Sequence, residues 1–162
     1  MVVAYLSAEI GLWSELHTYS GGLGVLAGDH VKSAADAGID LVAITLLYRQ
    51  GYGRQHLDES GNQSESYPEI DPAEHLIDTG IELALPLDGS TLHSRIWLAE
   101  VVGVGGHTVP VYFLDTRHEG NAPEHAALGN RLYGGDDSVR LRQEYLLGVG
   151  GIRALNALGH GP

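Results

Sequence analysis

An α/β fold built on a parallel sheet is the class that the sequence predicts, on three observations. Residues 2–7 form a short apolar run rich in β-forming residues, and residues 22–37 then show helical spacing. Residues 40–48 are almost continuously apolar, which is typical of a strand buried on both faces of a parallel sheet. A strand, a helix and a second strand in this order predict a Rossmann-like βαβ unit.

The first helix is predicted from apolar residues at spacings of three and four, among them Leu23, Leu26 and Val31. Gly38 stands where a helix of this length would end, because glycine readily takes the left-handed conformation that closes a helix. The polar segment that follows the second strand contains the turn sequence Glu59-Ser60-Gly61-Asn62. This turn predicts a hairpin that extends from the sheet.

Three more strands are predicted at 81–85, 92–102 and 108–114, the last two separated by a glycine-rich turn. Residues 138–158 are predicted to form one long helix. Its apolar residues recur at spacings of three or four, and they are Leu141, Tyr145, Val149, Ile152 and Leu155. Glycines inside this helix weaken it, so we expect Gly148, Gly150 and Gly151 to pack closely against a neighbouring element.

Composition limits the function classes. The chain has 162 residues, enough for one domain with a core, and a formal net charge of −12, which argues against nucleic acid as a partner. Without cysteine there is no disulfide or thiolate metal site. The nine histidines show no metal-ligand spacing, so no metal is expected. The absence of a long apolar run or basic leader predicts a cytoplasmic protein with no membrane partner.

The last helix ends where a further parallel strand would be expected. We therefore interpret residues 1–162 as the front piece of a larger enzyme, with a small complete domain as the alternative. The first interpretation predicts that the helix carries an apolar stripe, including Leu146, Ile152 and Leu155, that this chain only partly buries.

The sequence YSGGLGVLAGDH, from Tyr19 to His30, places glycines directly before the first predicted helix. It matches neither the dinucleotide fingerprint G-x-G-x-x-G nor the P-loop. A helix N-terminus offers unpaired N–H groups and a partial positive charge, and glycine lets a ligand approach closely. Two alternatives stay open from the spacing: a bed for an anion or sugar at Gly21–Gly24, and a purely structural tight turn.

Three segments together carry a resemblance to a known family. They are VAYLSAEIGL, YSGGLGVLAGDHVKSAADAGIDLVAITLLYRQGY and LYGGDDSVRLRQEYLLGVGGIRAL. They resemble the N-terminal part of the α-glucan (glycogen, starch and maltodextrin) phosphorylases, most closely those of the bacterial branch. The resemblance implies that the chain is a partial N-terminal Rossmann-like domain, from the first lobe of a two-lobed glycosyltransferase of the B type, and that the C-terminal lobe is absent.

The resemblance also implies an activity, the phosphorolysis of α-1,4-glucan to glucose 1-phosphate with pyridoxal phosphate in the cleft between the lobes. The implied partners are glucan, inorganic phosphate, glucose 1-phosphate and the missing C-terminal lobe, and a homodimer is left open. The family's Schiff-base lysine lies in the other lobe, and Lys32, the single lysine here, is not its counterpart. We therefore expect the isolated chain to hold no cofactor and to be inactive.

Site residues are implied at three places. In the family, the loop that matches Gly21, Gly22 and Leu23 directs its backbone amides to the substrate phosphate and sugar. The adjacent Tyr19 and Ser20 are expected to serve packing and helix capping. Glu9 follows the first strand, where the alternatives are a cleft role and an ion pair with an arginine. Asp136 and Asp137 match a loop of the sugar pocket; helix capping is their alternative role.

Residues 48–52 follow the second strand and are expected to face the cleft. The chain departs from the family pattern at Trp13, His17 and Gly53.

Two other functions are alternatives to a glucan phosphorylase. Glycogen and starch synthases share the G-G-L-G loop but normally carry a lysine where this chain has Tyr19. A non-catalytic glucan-binding module is the other alternative.

Overall fold

The computed structural model describes residues 2–161, which form seven strands, four α-helices and short 3-10 and π-helical segments. The strands are β1 (Val3–Leu6), β2 (Leu41–Leu46), β3 (Arg54–Leu57), β4 (Gln63–Ser66), β5 (Ile77–Leu87), β6 (Ser90–Val102) and β7 (Thr108–Asp115). The helices are α1 (Gly21–Asp36), α2 (Pro123–Ala126), α3 (Asp137–Tyr145) and α4 (Gly151–Ala157). A π-helical segment, Leu146–Gly150, joins α3 to α4, and 3-10 turns lie at Pro72–Glu74 and Ala127–Gly129.

The predicted βαβ unit is confirmed. β1 pairs in parallel with β2, with Val3 opposite Leu41, and α1 connects the two strands. All six residues of β2 are buried, as expected for a strand covered on both faces. Gly38 follows α1 with φ +68°, so it takes the left-handed conformation predicted for the residue that ends the helix.

The five-stranded sheet has the order β1-β2-β7-β6-β5, and its pairing corrects the prediction of a parallel sheet. β1, β2 and β7 are parallel, but β6 runs antiparallel to both of its neighbours. The reason lies in the connections. β5 and β6 are joined by Asp88-Gly89, with φ 51° and 77°, which is the backbone of a tight hairpin. Parallel neighbours need a crossover of a dozen or more residues, and neither this turn nor the short one before β7 supplies it.

The predicted hairpin is confirmed as β3 and β4, which form a separate two-stranded antiparallel sheet. The Asp58 carboxylate organises its turn by accepting hydrogen bonds from the backbone N–H groups of Ser60 and Asn62, at 2.9 and 2.8 Å. Every residue in both strands is exposed.

The predicted last helix is continuous from α3 through the π segment to α4, but its buried face differs from the predicted one. Leu141 and Val149, predicted on the apolar stripe, are exposed by 73% and 41%. The helix instead approaches the sheet through Gly150 and Gly151, whose small size brings the backbone close to Leu85 of β5 and Leu6 of β1. Close packing is thus confirmed for these two glycines.

The remaining predictions for this helix have mixed outcomes. Gly148, expected to pack closely like the other two glycines, is exposed, with open space around it. The apolar stripe was expected to be only partly buried, and it is: Leu146 and Leu155 are buried, while Ile152 is half exposed.

Both faces of the sheet are covered. α1 packs through Val31 and Ala35 against one face, and the last helix packs through Leu146 and Leu155 against the other. Among residues 2–161, no helix combines the length and the apolar character needed to cross a lipid bilayer.

Candidate functional site

One edge of the sheet collects the polar residues of interest. The parallel strands β1, β2 and β7 all end at this edge, and Glu9, Arg49 and Asp115 lie at or just beyond their carboxyl ends. The connecting helix α1 begins here as well. Carboxyl edges of parallel strands are where open α/β sheets bind ligands, so the fold places the glycine stretch at the edge of the sheet that such folds use for binding.

The first turn of α1 is open to solvent. Gly21 has φ +60°, and a Cβ added at Gly21 or Gly22 would meet no other atom within 4 Å. The hydrogen bonds of the described residues include none donated by the N–H groups of Gly21, Gly22 or Leu23. These three donors lie at the positive end of a 16-residue helix, where the sequence predicts a bed for an anion or sugar.

The second half of the glycine stretch serves packing. The Gly11 N–H donates to the Gly24 carbonyl at 2.8 Å, so the backbone beyond β1 lies directly against α1. A Cβ at Gly28 would overlap the Gly11 carbonyl, and one at Gly24 would overlap Tyr19. Gly24 and Gly28 are therefore needed for close packing, whereas Gly21 and Gly22 face open space. A bed for an anion or sugar at Gly21–Gly24 stays a prediction.

Gly28→Ala is expected to lower the free energy of unfolding by about 1–3 kcal/mol, because the added methyl group forces α1 away from Gly11. Gly22→Ala is the matched control, since it adds the same methyl group to the same helix in open space. Urea denaturation of both variants measures the difference. Equal stability of the two variants would contradict the close approach of α1 to Gly11.

Beneath the start of α1 lies the Glu9 side chain, which is completely buried. Its carboxylate accepts a hydrogen bond from the Ser20 N–H at 2.6 Å and another from the Tyr133 hydroxyl. The alternative of an ion pair with an arginine is not seen among the contacts of the described residues. Ser20 is the N-cap residue, as predicted, but its side chain makes no capping hydrogen bond. Tyr19 packs against Gly11 and Gly24, as expected.

Tyr133 is a site residue to which the sequence analysis assigns no role. Its backbone has φ +59°, a conformation that costs free energy for a residue other than glycine. The hydrogen bond to Glu9 raises the pKa of its hydroxyl above the usual value. The ring of Tyr133 and the guanidinium of Arg140 lie 5.4 Å apart in a cation–π arrangement.

A second tyrosine adjoins this pair. Burial raises the pKa of Tyr48, with the carboxylates of Glu144 and Glu9 acting in the same direction. A cavity of about 20 Å³, lined in part by Tyr48, Tyr133 and Arg140, separates these groups and has room for about one water molecule.

Asp136 caps α3. Its carboxylate accepts a hydrogen bond from the Val139 N–H at 3.0 Å, so the capping alternative is confirmed for this residue. Asp137 is exposed in the first turn of the same helix. No contact of the described residues joins either aspartate to the start of α1, and their contribution to a sugar pocket stays a prediction.

An ion pair that the sequence analysis does not anticipate ties β7 to the segment after β2. Asp115 is completely buried and pairs with Arg49, with 2.7 Å between Oδ2 and Nη2. The same carboxylate accepts hydrogen bonds from Trp97 Nε1 at 3.1 Å and from the Arg117 N–H at 3.0 Å. A charged residue at the end of an apolar strand was the only available signal. Residues 48–52 were expected to face a cleft as a group. The Arg49 side chain instead pairs with Asp115 and ties the segment after β2 to β7.

Tyr52, from that same segment, does face a groove of about 280 Å³. Tyr67 from the hairpin and Tyr133 line the groove together with it, beside Arg131, which stacks on the Tyr67 ring at 3.7 Å. Gly53, one of the positions where the chain departs from the family pattern, also lines this groove and lies against Tyr67.

Comparisons with known proteins agree with the resemblance. The chain is 44% identical to a glycogen phosphorylase of Mycobacterium tuberculosis over 96% of its length, and 41% identical to a maltodextrin phosphorylase of Thermococcus litoralis over 99%. A glycogen phosphorylase of Aquifex aeolicus is 33% identical over 97% of the chain. No protein-family model matches the chain. The predicted resemblance to phosphorylases, rather than to synthases, is confirmed.

The chain spans only about a fifth of the length of these relatives: 18% of the Mycobacterium tuberculosis protein, 20% of the Thermococcus litoralis protein and 23% of the Aquifex aeolicus protein.

Proposed function

We propose, with the similarity to glycogen and maltodextrin phosphorylases as the premise, that this chain supplies the N-terminal part of an α-1,4-glucan phosphorylase. In such an enzyme it forms part of the first lobe of a two-lobed glycosyltransferase. The start of α1, at Gly21, Gly22 and Leu23, then faces the substrate phosphate and the terminal glucose unit. The activity is the transfer of that glucose unit to inorganic phosphate, which gives glucose 1-phosphate.

The observation that carries this proposal is the open first turn of α1. Its three N–H groups have no partner among the described residues, and no side chain stands in front of Gly21 or Gly22. Backbone N–H groups at a helix N-terminus bind phosphate without any added positive charge. That suits a chain whose formal net charge is −12.

The geometry also suits a sugar. Tyr52, Tyr67 and Tyr133 line one groove, and each combines an apolar ring with a hydroxyl group. Asp136 and Asp137, at the start of α3, come shortly after Tyr133 in the sequence. In the proposed enzyme the α1 amides would hold the phosphate beside the terminal glucose unit, and the positive end of the α1 dipole would favour the negative charge of the bound phosphate.

Pyridoxal phosphate is the cofactor that the family implies, and the residues of this chain do not fit it. Lys32 is the single lysine, and it is exposed on α1 and lines none of the cavities described above. We propose that another part of the polypeptide holds it.

A chimera tests the proposal. The matching segment of the Mycobacterium tuberculosis glycogen phosphorylase, 44% identical, is replaced by this chain, and release of glucose 1-phosphate from glycogen is measured. We expect phosphorolysis well above that of the protein with the segment deleted. A folded chimera with no more activity than the deletion would contradict the proposal, and co-sedimentation of the purified 162-residue chain with glycogen, without phosphorolysis, would support the glucan-binding module instead.

A further inference from the structure

Glu9 cannot contact a substrate directly in this structure, because its side chain is completely buried. Its two partners come from distant parts of the chain: Ser20 is the N-cap residue of α1, and Tyr133 precedes α3. The Ser7 hydroxyl donates to the Glu9 backbone carbonyl at 2.8 Å and so holds this residue at the end of β1. The Glu9 backbone is thus held at the end of β1, and its carboxylate is shared by the loops of Ser20 and Tyr133.

From this arrangement we infer that Glu9 is a positioning residue: it ties the loop of Tyr133 to the start of α1, so that the placement of one loop sets the placement of the other. The inference rests on the proposed function only in assigning a substrate to the start of α1. The tie itself is a property of residues 9, 20 and 133.

Both partners are needed for physical reasons. Burying a carboxylate costs free energy unless hydrogen-bond donors satisfy it. Among the described residues, the Glu9 carboxylate accepts hydrogen bonds from the Ser20 N–H and the Tyr133 hydroxyl. Tyr133 in turn holds a positive φ that is unfavourable for a side-chain-bearing residue, and its bond to Glu9 offsets that cost. Loss of the Tyr133 hydroxyl therefore affects Glu9 and, through Glu9, the Ser20 N–H.

Tyr133→Phe in the 162-residue chain tests the tie, because it removes one hydroxyl and keeps the ring. The matched control is Tyr145→Phe, since the Tyr145 hydroxyl also donates a single hydrogen bond, to the Pro86 carbonyl at 2.8 Å. Backbone amide chemical shifts and hydrogen exchange are measured by NMR in both variants. We expect Tyr133→Phe to shift the amide signals of residues 20–23 and to speed exchange at Ser20 about tenfold, the scale set by a hydrogen bond to a charged group.

Tyr145→Phe is expected to leave residues 20–23 unchanged. Glu9→Gln is a second variant, whose amide can still accept from Ser20 and contact Tyr133, and we expect it to shift residues 20–23 while preserving the fold. Changes confined to residues around position 133, or equal changes in the Tyr145→Phe control, would overturn the inference. Because the measurement uses no substrate, its result is independent of whether the chimera carries out phosphorolysis.

Discussion

Asp115→Ala is expected to lower the free energy of unfolding by about 3–5 kcal/mol, which is among the largest effects of a single substitution in this chain. Asp115 is completely buried and neutralises Arg49, whose side chain is only 12% exposed. Its loss would leave the guanidinium charge buried without a partner and the Trp97 N–H without its acceptor. Because Arg49 also donates to the Ile70 carbonyl, we expect the segment before β5 to loosen with it.

Chemical denaturation measures this loss, and two further variants define its cause. Glu82→Ala removes a carboxylate that pairs with Arg95 at 3.2 Å on the surface, and it should cost far less. Adding Arg49→Met to Asp115→Ala should restore part of the stability, because it removes the unpaired buried charge. If Asp115→Ala is no more harmful than Glu82→Ala, the buried ion pair does not stabilise this edge of the sheet.

Local patterns were sufficient to predict the first half of the fold. The apolar runs, the helical spacing and Gly38 correctly predicted β1, α1 and β2, since each depends on residues close in sequence. The direction of β6 was missed, although Asp88-Gly89 is a hairpin signal. Part of the buried face of the last helix was missed, because Gly150 and Gly151, which carry no hydrophobic signal, lie against the sheet together with Leu146 and Leu155.

The candidate site was predictable only in part. The glycine motif identified the open start of α1, but spacing could not separate the open Gly22 from the packed Gly28, because that difference depends on the approach of Gly11. Glu9 was recognised by its position after β1, whereas its partner Tyr133 is 124 residues away in sequence. No local pattern indicates a hydrogen bond across that separation.

Gly22→Val in the chimera is expected to abolish phosphorolysis while leaving the stability nearly unchanged. Gly22 has open space around it and a φ outside the left-handed region, so valine meets no neighbour in this chain. Its side chain would instead occupy the space in front of the free N–H groups, where the phosphate and the sugar are proposed to bind. The matched control is Gly105→Val, which adds the same side chain in open space in the turn between β6 and β7. That turn is anchored to the opposite end of α1 through the hydrogen bond from the Val104 N–H to Asp36.

The release of glucose 1-phosphate per folded molecule, measured beside a thermal melt of each variant, tests the central claim most directly. We predict that Gly22→Val loses this activity at an unchanged melting temperature, while Gly105→Val retains it. Normal specific activity in the folded Gly22→Val chimera would contradict the assignment of the start of α1 to substrate binding.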